Sequence, residues 1–147
     1  MIGKTLIFTL AAVHFASYAE DPSCASVGAS MESSLLDAIS KDLKIDISAI
    51  QRDKTAVEVI NTTAVSELYA ESLANVDREN DVDKGKATIP TGDYFSSYYA
   101  NHAKSITAKY TYTNNQGKKD IFIASSLMNK DECSVRFNGY LTLGREF

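Results

Sequence analysis

The amino-acid sequence predicts an α+β fold: an N-terminal helix packed on an antiparallel sheet that ends in a three-stranded meander, with one disulfide. Three features carry this expectation. Cys24, Val27, Met31, Leu35, Ile39 and Leu43 recur at spacings of three and four, which is one apolar helical stripe. From Ser105 onward, apolar and polar residues alternate with the two-residue period of half-buried strands. The 147 residues hold two cysteines, Cys24 on the helical stripe and Cys133 in the last strand-like segment.

The N-terminus sets the compartment. Residues 1–19 carry Lys4, an apolar run over about Leu6 to Val13, and the small residues Ser17 and Ala19 ahead of a cleavage point, the pattern of a secretory signal peptide. The apolar run is far shorter than the ~20 residues a bilayer span requires, and no later stretch approaches that length. The expectation is a periplasmic or secreted protein without a membrane span, with residues 20–147 as a single α+β domain. Loss of Lys4 takes the 15 basic residues to 14 against 19 acidic ones, a net charge of −5. That balance argues against a nucleic-acid partner, which needs a basic footprint.

In an oxidising compartment, two cysteines and no more read as a Cys24–Cys133 bridge. A structural metal wants about four Cys or His ligands. Beyond the leader the chain has Cys24, Cys133 and His102, so no metal and no cofactor is expected. The bridge closes a loop of about 110 residues, for which chain entropy alone gives about 4 to 5 kcal/mol.

Element by element, Asp21 is a candidate N-cap with Pro22 at the first helical position, followed by the helix to Leu43. The β-branched stretch 55–62 reads as a strand. Thr62 or Thr63 then caps a second helix with Val65, Leu68, Tyr69, Leu73 and Val76 as its stripe. From Asp77 to Asp93 the chain turns polar and reads as a long surface loop or lobe. Tyr94, Phe95, Tyr98 and His102 fit a short helix.

Ile106, Ala108, Tyr110 and Tyr112 line one face of the first meander strand, NNQG (114–117) forms a hairpin turn, and residues 119–127 and 133–143 supply the other strands. A register pairing residue 113 with 118 sets Tyr110 opposite Ile121, and one pairing 127 with 133 sets Ile123 opposite Phe137. All the apolar alternations then share a face that includes Cys133.

Candidate chemistry is sparse. His102 has serines and Asp93 near it in sequence, but no nucleophile motif such as G-x-S-x-G accompanies it; a hydrolase centred on His102 is the third-ranked reading. Asp81 and Asp83 superficially suggest a calcium loop but lack its following ligands and closing glutamate. Asn61-Thr62-Thr63 is a glycosylation sequon, relevant where the host glycosylates exported chains. The expected register leaves Phe122 outward between Lys109 and Asn138, with Arg136 and Tyr140 alongside. This is an aromatic and cationic face of the kind protein-binding hot spots favour, unless another element covers it as a second small core. Tyr94, Tyr98, Tyr110 and His102 are candidate walls of a small-ligand cleft, with helix-on-sheet packing as the alternative.

The order of a helix with an early cysteine, a strand, a helix and hairpin strands carrying a second cysteine resembles the YebF and colicin M immunity group of small exported bacterial proteins. The residues that carry the resemblance are Cys24, VEVINTTAVSELYAESL, YTYTNNQGKKDIFIAS and ECSVRF; the insert around 77–104 departs from the group. The resemblance implies an envelope or secreted protein that works by binding another exported or envelope protein. Cystatins share a helix-on-sheet plan, but their Q-x-V-x-G loop is missing here.

Overall fold

Gly28 decides where the first helix begins. In the computed structural model, which describes residues 22–86 and 88–147, the chain opens as a 3-10 turn, Pro22–Ala25, and reaches helix α1 only at Ser30–Leu43. Gly28 sits at φ +90°, a conformation open to glycine and strained for other residues. Glu32, in the first turn of α1, reaches back to accept the Gly28 N–H at 2.6 Å, much as a capping-box glutamate does. The expected stripe is therefore split. Met31, Leu35, Leu36 and Ile39 form the buried face of α1, Val27 is exposed, and Cys24 belongs to the preceding turn. The predicted leader, residues 1–19, lies outside the described residues.

After α1, two 3-10 turns, Ile47–Ala49 and Arg52–Lys54, lead into strand β1, Ala56–Ala64. Two helices follow, α2 (Glu67–Asp83) and α3 (Thr91–Tyr99). The meander is β2 (Lys104–Thr113), β3 (Lys119–Met128) and β4 (Arg136–Gly144). The four strands form one antiparallel sheet in the order β1-β2-β3-β4. The α+β class is as expected.

Helix α2 runs through a stretch whose polarity reads as a loop. Its inward positions are Ala70, Leu73, Ala74, Asp77 and Asp81, and the two aspartates are held by Arg136 and Tyr94 from other elements. The expected stripe holds only in part: Val65 and Leu73 pack inward, but Leu68 is 77% exposed, and Tyr69 and Val76 also face solvent. Small residues let α3 approach closely, so the buried face of α2 is poor in large apolar side chains.

The register of the meander corrects the expectation. Thr113 pairs with Lys119, so the first hairpin loop is one residue longer than NNQG. Asn114 Oδ1 accepts the N–H groups of Gln116 (2.9 Å) and Lys118 (3.0 Å), and Gly117 takes φ +76°, which draws Lys118 into the turn. A one-residue slip inverts the faces of β3 relative to β2. Tyr110 lies opposite Phe122, and Ala108 opposite Ala124. On β4, a bulge between Phe137 and Gly139 shifts the pairing again and brings Tyr140 opposite Ala124.

Two apolar clusters result. One face of the sheet packs Ile106, Ala108, Tyr110, Tyr112, Phe122 and Ala124 against α1. Rings step across it, Tyr110 to Tyr112 (6.1 Å), Tyr112 to Phe122 (6.1 Å) and Phe122 edge-on to Tyr140 (5.8 Å). A smaller cluster of Val65, Ala70, Ala74, Tyr98, Ala103 and Leu127 joins the α2–α3 hairpin to one end of the other face.

Cys24 and Cys133 are joined, with Cα atoms 4.9 Å apart. Cys133 lies in the connection before β4 rather than in the strand itself. The bond still ties the opening turn to the approach of the last strand.

Candidate recognition face

The face of the sheet turned away from α1 is only partly covered. At the end that carries Leu127 and Arg136, the α2–α3 hairpin sits on it through the smaller cluster. Beyond the hairpin, Thr107 and Lys109 of β2, Ile121, Ile123 and Ser125 of β3, and Leu141 of β4 line the outward face. Leu141 stands opposite Ile123 and is 67% exposed. A groove of about 300 Å³ runs beside it, lined by Thr107, Ile123, Ser125, Asn138, Gly139 and Leu141 among others. Gly139, at φ +114° in the β4 bulge, leaves open space where a Cβ would stand. Hence the bulge makes a notch in a surface that would otherwise be a plain pleated strand.

The rim of this face is built around one charge cluster. Arg136 grips the Asp77 carboxylate with two parallel bonds, Nε to Oδ2 at 2.6 Å and Nη2 to Oδ1 at 2.7 Å. Tyr98 Oη donates to the same Oδ2 at 2.7 Å, and the guanidinium lies 5.9 Å from the Tyr98 ring centre. Arg136 Nη1 also donates to Asn138 Oδ1 at 2.7 Å, which links the hairpin to the groove wall. The Arg136 bonds hold the Asp77 carboxyl below the usual carboxylate range, with Tyr98 adding to the effect against a cost of burial. Burial, followed by the Asp77 bond, drives the Tyr98 hydroxyl well above its ordinary value. Farther along α2, Asp81 accepts from Tyr94 Oη at 2.8 Å and pairs with Lys86, so its carboxyl is also lowered.

The sequence-chosen residues distribute differently from the expectation. Phe122 is fully buried in the α1-facing cluster, and Tyr140 packs on the same cluster with its hydroxyl 3.3 Å from Asp42. Arg136 and Asn138 are outward but occupied with Asp77 and with each other, while Lys109 pairs with Glu58 across β1 and β2. Of the five, Lys109, Arg136 and Asn138 lie on the outward side, and the aromatic anchor is gone from it. Ile121, Ile123 and Leu141 take its place, because the observed register turns them outward. Gly117, left-handed at φ +76° and followed by Lys118, closes a longer hairpin loop than two-residue NG turns do.

The tyrosine cleft does not assemble. Tyr94 and Tyr98 belong with the α2–α3 hairpin, whereas Tyr110 is buried on the opposite face under α1, where its hydroxyl donates to the Ala25 carbonyl at 2.7 Å. His102 follows α3 in an exposed turn at φ +57°, next to Asn101 at φ +55°, so it does not extend the helical stripe. No group of three or more His, Cys, Asp or Glu among the described residues could hold a metal ion, and no described helix is long and apolar enough to cross a membrane. Comparison with protein-family models, with characterised proteins and with solved structures returns no match to this chain.

Proposed function

We propose that the chain is an exported binding protein, of the immunity or inhibitor type, that meets a protein partner with the outward face of its sheet. The observation that carries this reading is the Leu141–Ile123 pair beside the Gly139 notch. An aliphatic side chain two-thirds exposed on a β-sheet, next to a groove of about 300 Å³, gives a partner's apolar side chain a place to anchor. The hydroxyls beside it, Thr107 and Ser125, offer orienting hydrogen bonds at the edge of the contact. The predicted leader and the Cys24–Cys133 bond are compatible with an extracytoplasmic setting, and the resemblance to the colicin M immunity group points to inhibition rather than transport.

Affinity capture from envelope and secreted fractions tests it, with the wild-type chain, Leu141→Asp and Leu68→Asp as baits. The expected result is a protein retained by wild type and by Leu68→Asp, which is exposed on α2, and lost with Leu141→Asp. Retention by all three baits would remove the outward face from the proposal.

A further inference from the structure

We infer that Asn61 is a modification site: the acceptor of one N-linked oligosaccharide when the chain passes through a compartment with an oligosaccharyltransferase. The inference rests on the export reading for access to that enzyme and is independent of the binding face. Asn61-Thr62-Thr63 has the required triplet with a residue other than proline at the middle position. The structure adds three observations. Asn61 is exposed and belongs to β1, which among the described residues has a neighbour on one side only. A register shift between Val59 and Asn61 lifts the strand out of regular pairing at this point. The side-chain amide Nδ2 donates to Thr63 Oγ1 at 2.8 Å, so the acceptor nitrogen and the hydroxyl that defines the triplet are already side by side.

The donor is an oligosaccharide linked through pyrophosphate to a polyprenyl lipid. Asn61 Nδ2 forms a bond to the anomeric carbon, the bond from that carbon to the pyrophosphate oxygen breaks, the lipid pyrophosphate departs with the electron pair, and one amide proton passes to a base of the transferase. No oxidant or reductant is involved. Asn61 pairs with Thr107, which lines the groove, so the glycan stands at the β1 border of the outward face. There it also blunts the backbone edge that β1 leaves unpaired among the described residues against pairing with another chain.

The test is secretion of the full chain from a eukaryotic cell line, with intact mass measured before and after peptide-N-glycosidase. Wild type, Asn61→Gln, Thr63→Ala and Thr63→Ser are compared. The expected result is one discrete mass increment on wild type and Thr63→Ser, removed by the glycosidase and absent from Asn61→Gln and Thr63→Ala. Secreted chain with its disulfide closed and no increment overturns the inference. Failure of the native leader to export would count against the export reading alone. A parallel arm with the full chain behind an unrelated leader separates the two, because absence of the increment there overturns the acceptor assignment itself.

Discussion

Tyr110 and Ala25 lie 85 residues apart in the chain, yet the tyrosine hydroxyl donates to the alanine carbonyl at 2.7 Å in the buried core. Both residues are fully buried, so the carbonyl has no water to fall back on. The bond fastens the 3-10 turn that carries Cys24 to the centre of β2, beside the cluster under α1. Tyr110→Phe keeps the ring and removes the hydroxyl. It is expected to cost about 1–3 kcal/mol, the penalty for leaving a buried acceptor unpaired, read as a lower urea midpoint with an unchanged slope.

Phe122 and Leu141 separate core from surface. Phe122 is fully buried between Tyr112 and Tyr140, whereas Leu141 is 67% exposed. Phe122→Ala is expected to lose about 3–5 kcal/mol through lost burial and the cavity left behind. Leu141→Ser is expected to stay within about 0.5 kcal/mol of wild type, as exposed positions do. Equilibrium denaturation of both variants checks the β3 register directly. The register pairing 113 with 118 demands the reverse order of effects.

How much was legible follows from which physical signals are local. Strand alternation in 105–143 and the two cysteines are readable one residue at a time, and the sheet and the Cys24–Cys133 bond came from them. The faces of β3 were not readable, because they depend on a single residue, Lys118, being drawn into the turn by the Asn114 side chain. Helix α2 beyond Val76 was hidden for a different reason. Asp77 and Asp81 look like solvent-facing loop residues until Arg136, 59 positions away from Asp77, and Tyr94 are known to hold them. The apolar spacing from Cys24 to Leu43 runs straight past Gly28, whose φ of +90° ends the opening turn before α1 begins at Ser30. The outward face inherited the β3 error, so its aliphatic residues emerged only from the register.

The Asp77–Arg136 pair sets the acid limit of the hairpin contact. Its carboxyl is held below the ordinary range, chiefly by the Arg136 hydrogen bonds. A depressed carboxylate contributes stability that is present above the unfolded value, about pH 4, and is lost as pH falls through the lower folded value. Wild type is therefore expected to weaken progressively below about pH 4. Asp77→Asn leaves Arg136 partly buried without its counter-charge, so it is expected to be less stable at neutral pH by about 1.5–3 kcal/mol. Its stability changes less across the acid range, because the titrating group is gone. Urea midpoints between pH 2 and pH 7 measure both effects, and parallel wild-type and mutant curves would refute the assignment.

At the alkaline end the buried tyrosines govern. Burial, reinforced by the Glu32 carboxylate, raises the hydroxyls of both Tyr110 and Tyr112 far above the ordinary value. A group raised in this direction contributes stability that is complete below about pH 10, where the unfolded tyrosine begins to ionise, and that drains away as pH climbs toward the folded value. Unfolding, rather than simple titration, is then the route by which these two hydroxyls reach base. Tyrosinate absorbance and far-UV circular dichroism followed together above pH 10 are expected to show a cooperative absorbance step coincident with loss of secondary structure. Tyr112→Phe removes one of the two ionisations while keeping the ring that bridges Tyr110 and Phe122, so the step is expected to shrink and to move to higher pH. A smooth, non-cooperative tyrosinate titration with the helical signal intact would mean that these hydroxyls meet solvent in the folded protein.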